Sequence, residues 1–320
     1  MEVSLLAQIF AFFGFLLAAY SVVANDSVQT LGTFIASNSQ KFKWYYLWAG
    51  AASVLILTLW YGWYVNGGDI SYGRLNTIPY IEVRWYHVAA PGILLLLTRV
   101  GIPVSTTFLV LSAFASTVVL EKILIKSIIG YGLAAMFAYL MWLLIARIID
   151  AKPGVETKSN ERSWRIAQWC TTGFLWYTWL SHDLANIAVY LPRDLSVYWM
   201  VIISLVLLIL LAWIFYERGG KIQNIVLEKS TTTYVRSATI INLCNGFILL
   251  FFKEFNDIPM STTWVFVGLL SGREFAIASV SKGSYKLKSV FPIVGRDFLK
   301  IMIGLCVSVA IVLCIHYVFN

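Results

Sequence analysis

The segment Pro103-Val104-Ser105-Thr106-Thr107 recurs later in the chain as Pro259-Met260-Ser261-Thr262-Thr263, and each copy interrupts a long apolar stretch. A second pair of polar interruptions precedes them: Ala24-Asn25-Asp26-Ser27 in the first half and Ser181-His182-Asp183 in the second. Asp26 and Asp183 are 157 positions apart, and Ser105 and Ser261 are 156 apart. Two different motifs in the same order, at nearly the same separation, indicate a duplicated chain.

The duplication divides the chain into two repeats joined by a loop. We predict a first transmembrane repeat at residues 1–149, a cytoplasmic linker loop at 150–163 and a second, inverted repeat at 164–320. The loop contains Lys152-Pro153-Gly154 and has no apolar periodicity, which is typical of a connecting segment. No separate soluble domain is predicted.

The composition places most of the chain in a lipid bilayer. Hydrophobic residues make up 59% of the 320 residues and charged residues 12%, whereas soluble domains have about 25% charged residues. Apolar segments long enough to cross a bilayer occur without interruption at 44–65, 128–149, 197–216 and 298–319, and with polar interruptions at 4–36, 86–120, 166–196 and 237–280. The sequence therefore predicts an all-α integral membrane protein of two inverted-topology repeats, whose broken helices and helical hairpins meet at the midplane.

The basic residues predict an orientation in the membrane. If each half makes three crossings and one hairpin, the loops on one side hold sixteen Lys and Arg residues and those on the other side hold five. The richer side is expected to be cytoplasmic, which places both termini outside a multi-pass protein of the cell (plasma or inner) membrane. The net charge of +8 is then explained by basic residues in the loops, and we expect no nucleic-acid partner. The sequence leaves open whether the hairpins are re-entrant or span fully.

Two carboxylates and two hydroxyl-rich segments supply chemistry at the interruptions. An ionised Asp at the bilayer centre costs about 2.5–3.5 kcal/mol, so Asp26 and Asp183 imply a compensating partner, cation or water. Three successive hydroxyls beside a helix start offer donors to an anion and acceptors to a cation. Taken singly, each motif has a structural alternative, since Asp can bond a neighbouring hydroxyl and Ser or Thr its own helix. Their recurrence at equivalent positions favours a transport site for a small anion and its coupling cations.

The four motifs resemble the signatures of the inorganic phosphate transporter (PiT) family of sodium- or proton-coupled symporters. Residues 24–33 are similar to the family's Gly-Ala-Asn-Asp-Val-Ala-Asn-Ser-x-Gly-Thr, residues 181–186 to its second copy, and both hairpin segments to its Pro-Val-Ser-Thr-Thr. The resemblance implies cation-coupled (Na⁺ or H⁺) symport of a small inorganic oxyanion, phosphate first and sulfate next. It implies a cation site of Asn25, Asp26, Thr30, Asp183 and Asn186 and an anion site of Ser105, Thr106, Thr107, Ser261, Thr262 and Thr263.

The chain departs from the family pattern at several positions. His182 and Gln29 each stand where Asn is usual, and Phe108 follows Ser-Thr-Thr where His is common. His182 could accept a proton and convert sodium coupling to proton coupling, since the unperturbed pKa of His lies near neutrality. The alternative is a hydrogen-bonded His with no role in transport. Arg273-Glu274, in an apolar run, is either an internal ion pair, which we expect, or an anion ligand.

Other functions remain open at this level. The substitutions at His182 and Gln29 motivate a transport-inactive receptor or accessory subunit, while a cation exchanger would be expected to have more acidic residues than Asp26 and Asp183. A membrane hydrolase is disfavoured, because His182 and Asp183 are adjacent and no strand-borne nucleophile elbow occurs. We predict no enzymatic activity, no cofactor and no metal beyond transported Na⁺. The expected partners are the anion and the lipid bilayer, with a homodimer left open.

Overall fold

The chain folds into helices that follow the apolar segments of its sequence. The computed structural model describes residues 4–99, 104–148, 158–219, 235–255, 257–280 and 287–319, and within them all regular structure is helical. In chain order the elements are α1 (Leu5–Ser21), a π-helical turn (Val22–Asp26), α2 (Ser27–Asn38), α3 (Trp44–Val65), α4 (Trp85–Arg99), α5 (Thr106–Leu109), a 3₁₀ turn (Leu111–Ala113), α6 (Thr117–Ile148), α7 (Lys158–Asp183), α8 (Ala185–Ala188), α9 (Val197–Tyr216), α10 (Val235–Phe255), α11 (Thr262–Val280), α12 (Leu287–Cys314) and a second π-helical turn (Ile315–Phe319).

The lengths and surfaces of the helices are those of a membrane protein. Among the described helices, six are long and apolar enough to cross a bilayer, namely α3, α6, α9, α10, α11 and α12. Large apolar side chains remain exposed along them, for example Leu57 on α3, Ile209 on α9 and Phe291 on α12. Such side chains suit contact with lipid tails, while the helical backbone satisfies its own polar groups. The chain is an all-α, multi-pass membrane protein.

Two of the four segments predicted without interruption match observed helices at both ends, and the other two helices begin earlier than predicted. α3 and α9 have the predicted bounds. α6 begins at Thr117 and not at residue 128, and α12 at Leu287 and not at residue 298. Both early portions include charged residues such as Lys122 and Arg296, which end an apolar segment but not a helix, because long basic side chains reach the membrane surface. α7 likewise begins at Lys158, within the predicted linker, and residues 150–157 of that linker lie outside the described residues.

The interruptions take three different forms. At residues 22–26 the helix widens into a π-helical turn and continues into α2 without unwinding. At Asp183 α7 ends, and the short α8 begins two residues later. In the second hairpin α10 ends at Phe255 and α11 begins at Thr262. In the first hairpin, Pro103 lies outside the described residues, and Ser105 is followed by the four-residue α5.

Equivalent helices of the two halves make equivalent contacts. α1 packs against α4 as α7 packs against α10, and α3 packs against its counterpart α9. This pattern fits two inverted repeats, whose boundaries stay a prediction. Across the halves, α11 lies along α6 at the glycines Gly268 and Gly272, where an added Cβ would come within 2.3 Å of the Tyr131 carbonyl oxygen and 1.9 Å of the Ala135 carbonyl oxygen. Small residues with this four-residue spacing let membrane helices approach closely.

Candidate functional site

The carboxylate of the first half is buried at the widened turn between α1 and α2. Asp26 is the last residue of the π-helical turn, and only 2% of it is exposed. Its Oδ2 accepts a hydrogen bond from the hydroxyl of Thr106, the first residue of α5. π-helical turns occur frequently at functional sites, since they turn a side chain away from its regular helical position.

The second half has the same pair at equivalent positions. Asp183 ends α7 and is also 2% exposed, and its Oδ2 accepts a hydrogen bond of 2.8 Å from the hydroxyl of Thr262, the first residue of α11. The partners are 80 residues apart in the first half and 79 in the second. Asn186 donates a further hydrogen bond of 2.8 Å to Asp183 Oδ1. The duplication seen in the sequence therefore reappears as two equivalent carboxylate–hydroxyl pairs.

Within each Ser-Thr-Thr segment the serine caps the helix that follows. Ser105 Oγ accepts a hydrogen bond of 3.3 Å from the Phe108 amide, and Ser261 Oγ accepts one of 3.3 Å from the Trp264 amide. A serine at this position satisfies an amide that has no partner within the helix. The rings of Phe108 and Trp264 meet edge to face, with centroids 5.9 Å apart.

The last threonine of each segment reaches the other half. Thr107 Oγ1 donates a hydrogen bond of 3.2 Å to the Met260 carbonyl, and Thr263 Oγ1 accepts one of 3.3 Å from the side-chain amide of Gln29. The two Ser-Thr-Thr segments are thereby brought into one site between the halves.

Two side-chain amides beside the aspartates leave an oxygen without a hydrogen-bond donor. Gln29 follows Asp26 by three residues, and Asn186 follows Asp183 by three. Gln29 Oε1 and Asn186 Oδ1 are both buried and accept no hydrogen bond in the described structure. A buried carbonyl oxygen normally has a donor, so these two, next to carboxylates, are suited to binding cations. Gln29 is not among the predicted site residues, although the 157-residue offset that pairs the aspartates also pairs Gln29 with Asn186.

The other two residues predicted to bind cations are Thr30 and Asn25. Thr30 is buried, and its hydroxyl donates a hydrogen bond of 2.8 Å to the Ser27 carbonyl of its own helix. The backbone of Asn25 lies in the π-helical turn, but its side chain lies outside the described part of the structure. The roles of these residues stay predictions.

His182 and Ser181 each form a hydrogen bond with a backbone carbonyl and not with each other. His182 Nε2 lies 2.9 Å from the Leu249 carbonyl oxygen, which can only accept, so Nε2 bears the hydrogen. Nδ1 is buried and has no partner in the described part of the chain, and it is the atom that could take up a proton. Ser181 Oγ donates a hydrogen bond of 2.7 Å to the Thr178 carbonyl. These two residues therefore do not form the nucleophile–base pair that a hydrolase requires.

Two basic residues are buried beside this site, although the sequence places them among the charged residues of the loops. Arg74 is 1% exposed, and its Nε donates a hydrogen bond of 2.8 Å to the Ser181 carbonyl. Lys126 of α6 is 6% exposed, and its Nζ donates to the carbonyl of Ile258, just before the second Ser-Thr-Thr segment. A count of charges places neither residue in the site, because it assigns basic residues outside the apolar segments to the aqueous sides of the membrane.

Arg273 and Glu274 form the ion pair that the sequence predicts. Arg273 Nη1 lies 3.2 Å from Glu274 Oε1, and the guanidinium carbon lies 5.2 Å from the centroid of the Trp142 ring on α6. The pair thus joins α11 to α6.

The fold can be compared with that of a protein of known structure. A solved structure described as the sodium-dependent phosphate transporter matches 98% of this chain and 99% of its own, with a TM-score of 0.64 and 16% sequence identity. The chain has a transporter fold. No family model matches the sequence, and no curated protein does. The match extends over both halves, and at this identity it shows the fold alone.

Proposed function

We propose that the protein is a secondary active transporter that moves a small inorganic oxyanion, phosphate first, together with sodium. The observation that best supports this function is the pair of buried aspartates, Asp26 and Asp183, each bonded to the first threonine of a hairpin. The fold likeness to a protein described as a sodium-dependent phosphate transporter supports both the substrate and the coupling ion.

The cation part of the site consists of oxygen atoms. Each half provides a carboxylate, a threonine hydroxyl and an amide oxygen without a donor, which together suit a sodium ion. A cation next to Asp26 or Asp183 also offsets the cost of holding a charged carboxylate inside the membrane. Two bound cations would leave the site able to accept an anion.

The anion part of the site lies at the two Ser-Thr-Thr segments. They lie where the halves meet, with Thr107 bonded to Met260 and Thr263 to Gln29. Rocking of one repeat against the other would break and re-form these contacts and expose the site to one side of the membrane at a time. The cell-membrane location, the extracytoplasmic termini and a homodimer are parts of this proposal that rest on the sequence.

Two alternatives are separated by a single assay. Sulfate has the same tetrahedral shape, but at neutral pH it lacks the proton with which phosphate can donate to a carboxylate. A transport-inactive receptor or accessory subunit would move neither anion.

The test is uptake of ³²P-phosphate and ³⁵S-sulfate into proteoliposomes with an imposed sodium or proton gradient. We expect sodium-driven phosphate uptake that Asp26→Asn and Asp183→Asn each abolish, because the amide removes the charge that attracts the cation. Asp194→Asn is the matched control, since this carboxylate lies in the exposed loop after α8. Uptake of sulfate alone would change the substrate, uptake driven only by a proton gradient would change the coupling ion, and no uptake by folded protein would overturn the proposal.

A further inference from the structure

The second hairpin differs from the first in the helix that begins at it. α11 has 19 residues and starts at Thr262, whereas α5, at the equivalent position, has 4. The partial positive charge at a helix N-terminus requires several aligned turns. Only one of these two Ser-Thr-Thr segments therefore stands before a helix long enough to favour an anion in this way.

A buried guanidinium lies at the end of α7, whose Asp183 bonds to that hairpin, and most of its donors have no acceptor among the described residues. Arg74 donates to the Ser181 carbonyl through Nε, but its buried Nη1 has no hydrogen-bond partner among the described residues. Its Nη2 lies 3.5 Å from His182 Nε2, a nitrogen whose hydrogen is directed to Leu249. Among the described residues, no carboxylate forms an ion pair with Arg74. A guanidinium has five N–H donors and is always charged. A single hydrogen-bond acceptor, the Ser181 carbonyl, is very few for such a group when it is buried.

The loop that contains Arg74 is built to hold it in this position. Gly67, Gly68 and Gly73 have positive φ angles, which glycine adopts without steric cost. Tyr72 precedes Arg74 by two residues, and its hydroxyl donates a hydrogen bond of 2.6 Å to the Thr58 carbonyl of α3. The loop is thereby tied to α3, and the guanidinium extends to the end of α7.

Contacts between α6 and the second hairpin add a second cation. Lys126 bonds to Ile258, and its neighbour Ser127 accepts a hydrogen bond of 2.9 Å from the Ser261 amide. Lys126 and Arg74 are close enough to interact electrostatically. The carboxylates in range of Arg74 are Asp257 and Glu254, both exposed, and Asp183, which Thr262 and Asn186 already bond.

We propose that Arg74 is a direct ligand of the transported oxyanion, which binds between this guanidinium and the N-terminus of α11. The anion is then held asymmetrically between the two segments, closer to the second hairpin than to the first. Arginine suits this role, because its planar fork matches two oxygens of a tetrahedral oxyanion. This inference rests on the proposed function, since it assigns a residue to the anion of that transporter.

A competing role for Arg74 is to neutralise Asp183 permanently, in place of a coupling cation. The two roles give different results when the charge is removed. An anion ligand affects phosphate affinity at saturating sodium. A counter-charge affects the number of sodium ions and the sodium concentration needed, because Asp183 then attracts a cation of its own.

The experiment measures equilibrium binding of ³²P-phosphate and ³⁵S-sulfate to the purified full-length protein at saturating sodium, together with the sodium dependence of binding. Arg74→Gln should weaken binding of the transported anion at least about tenfold, as expected for losing a charge-assisted hydrogen bond, without changing the Hill coefficient for sodium. Arg84→Gln is the matched control, since this arginine lies in the same loop and is exposed. If Arg74→Gln does not fold, Arg74→Lys decides, and weaker anion binding by this variant supports the inference because lysine lacks the fork.

Three results would overturn the inference, and they are distinguishable. Anion binding within about twofold of the original protein in the decisive variant excludes Arg74 as a ligand. An increased Hill coefficient for sodium with unchanged anion affinity assigns Arg74 to neutralising Asp183. If the original protein, shown to be folded, binds neither anion, the proposed function fails and the inference with it.

Discussion

At the scale of single residues, each buried aspartate of the site is bonded to a threonine from the hairpin of its own half. An ionised carboxylate in a medium of low dielectric constant requires donors or a cation. The hydroxyls of Thr106 and Thr262 each satisfy one oxygen and fix the orientation of the carboxylate. We infer that the remaining lone pairs face the cation, so that these threonines position the cation ligands.

Removing these hydroxyls should weaken sodium binding. We expect Thr106→Val and Thr262→Val each to raise the sodium concentration for half-maximal phosphate uptake by roughly tenfold, because hydrogen bonds to charged groups contribute about 1.5–3 kcal/mol. Valine has nearly the same shape as threonine, so packing is largely kept. The measurement is uptake at varied sodium and fixed phosphate.

The control for that change is a threonine whose hydroxyl bonds only within its own helix. Thr178 of α7 donates to the carbonyls of Phe174 and Leu175, so Thr178→Val should leave the sodium dependence unchanged. If all three valine variants change the sodium dependence equally, contact with the aspartates does not explain the change.

Residues of the site differ in how far the sequence can predict them. The aspartates and the Ser-Thr-Thr segments are found because both recur at nearly the same separation, and the 157-residue offset of the aspartates would also have found Gln29. Arg74 has no such indication. Its depth depends on how the loop between α3 and α4 folds over α7, and this is a tertiary property that a count of charges cannot include.

At the scale of elements, apolar length predicts where helices lie better than it predicts how they are interrupted. The polar cluster at Asn25-Asp26 correctly indicates an interruption, but a π-helical turn and an unwound segment have the same composition. The two hairpins have nearly the same motif, yet α5 has 4 residues and α11 has 19. The difference arises from packing, because α11 has a glycine face that fits against α6, and this was not predicted.

That glycine face provides a test of packing between the halves. A Cβ at Gly272 would lie 1.9 Å from the backbone oxygen of Ala135, so α6 and α11 would have to move apart. We expect Gly272→Ala to destabilise the protein by about 1–3 kcal/mol, the usual cost of overpacking, seen as a lower thermal unfolding temperature in detergent. Gly132→Ala on α6 is the control, since nothing lies within 4 Å of its added Cβ. If the two variants unfold at the same temperature, the close approach of α6 and α11 does not hold in solution.

At the scale of the whole molecule, the duplication explains why so much of the fold is predictable from one chain. Each half independently repeats the order of a broken helix, a crossing and a hairpin. A wrong prediction of an element in one half would therefore disagree with the prediction from the other half. The equivalent bonds Thr106–Asp26 and Thr262–Asp183 show that the repetition extends to side-chain contacts. The substrate does not follow from symmetry, because Arg74, which we propose as its ligand, belongs to one half only.

The orientation of this molecule in the membrane remains a prediction, and it can be tested on either side of α3. Gln40 precedes α3 and Thr77 follows it, both are exposed, and 22 residues at about 1.5 Å each are enough to cross the hydrocarbon core. In a background without the four native cysteines, we expect a membrane-impermeant maleimide to label Thr77→Cys in intact cells and Gln40→Cys only after permeabilisation, because the basic loops lie in the cytoplasm. Uptake by both variants is the control for native folding. The reverse labelling would invert the orientation and leave the fold intact, whereas labelling of both from outside would show that α3 does not cross the membrane.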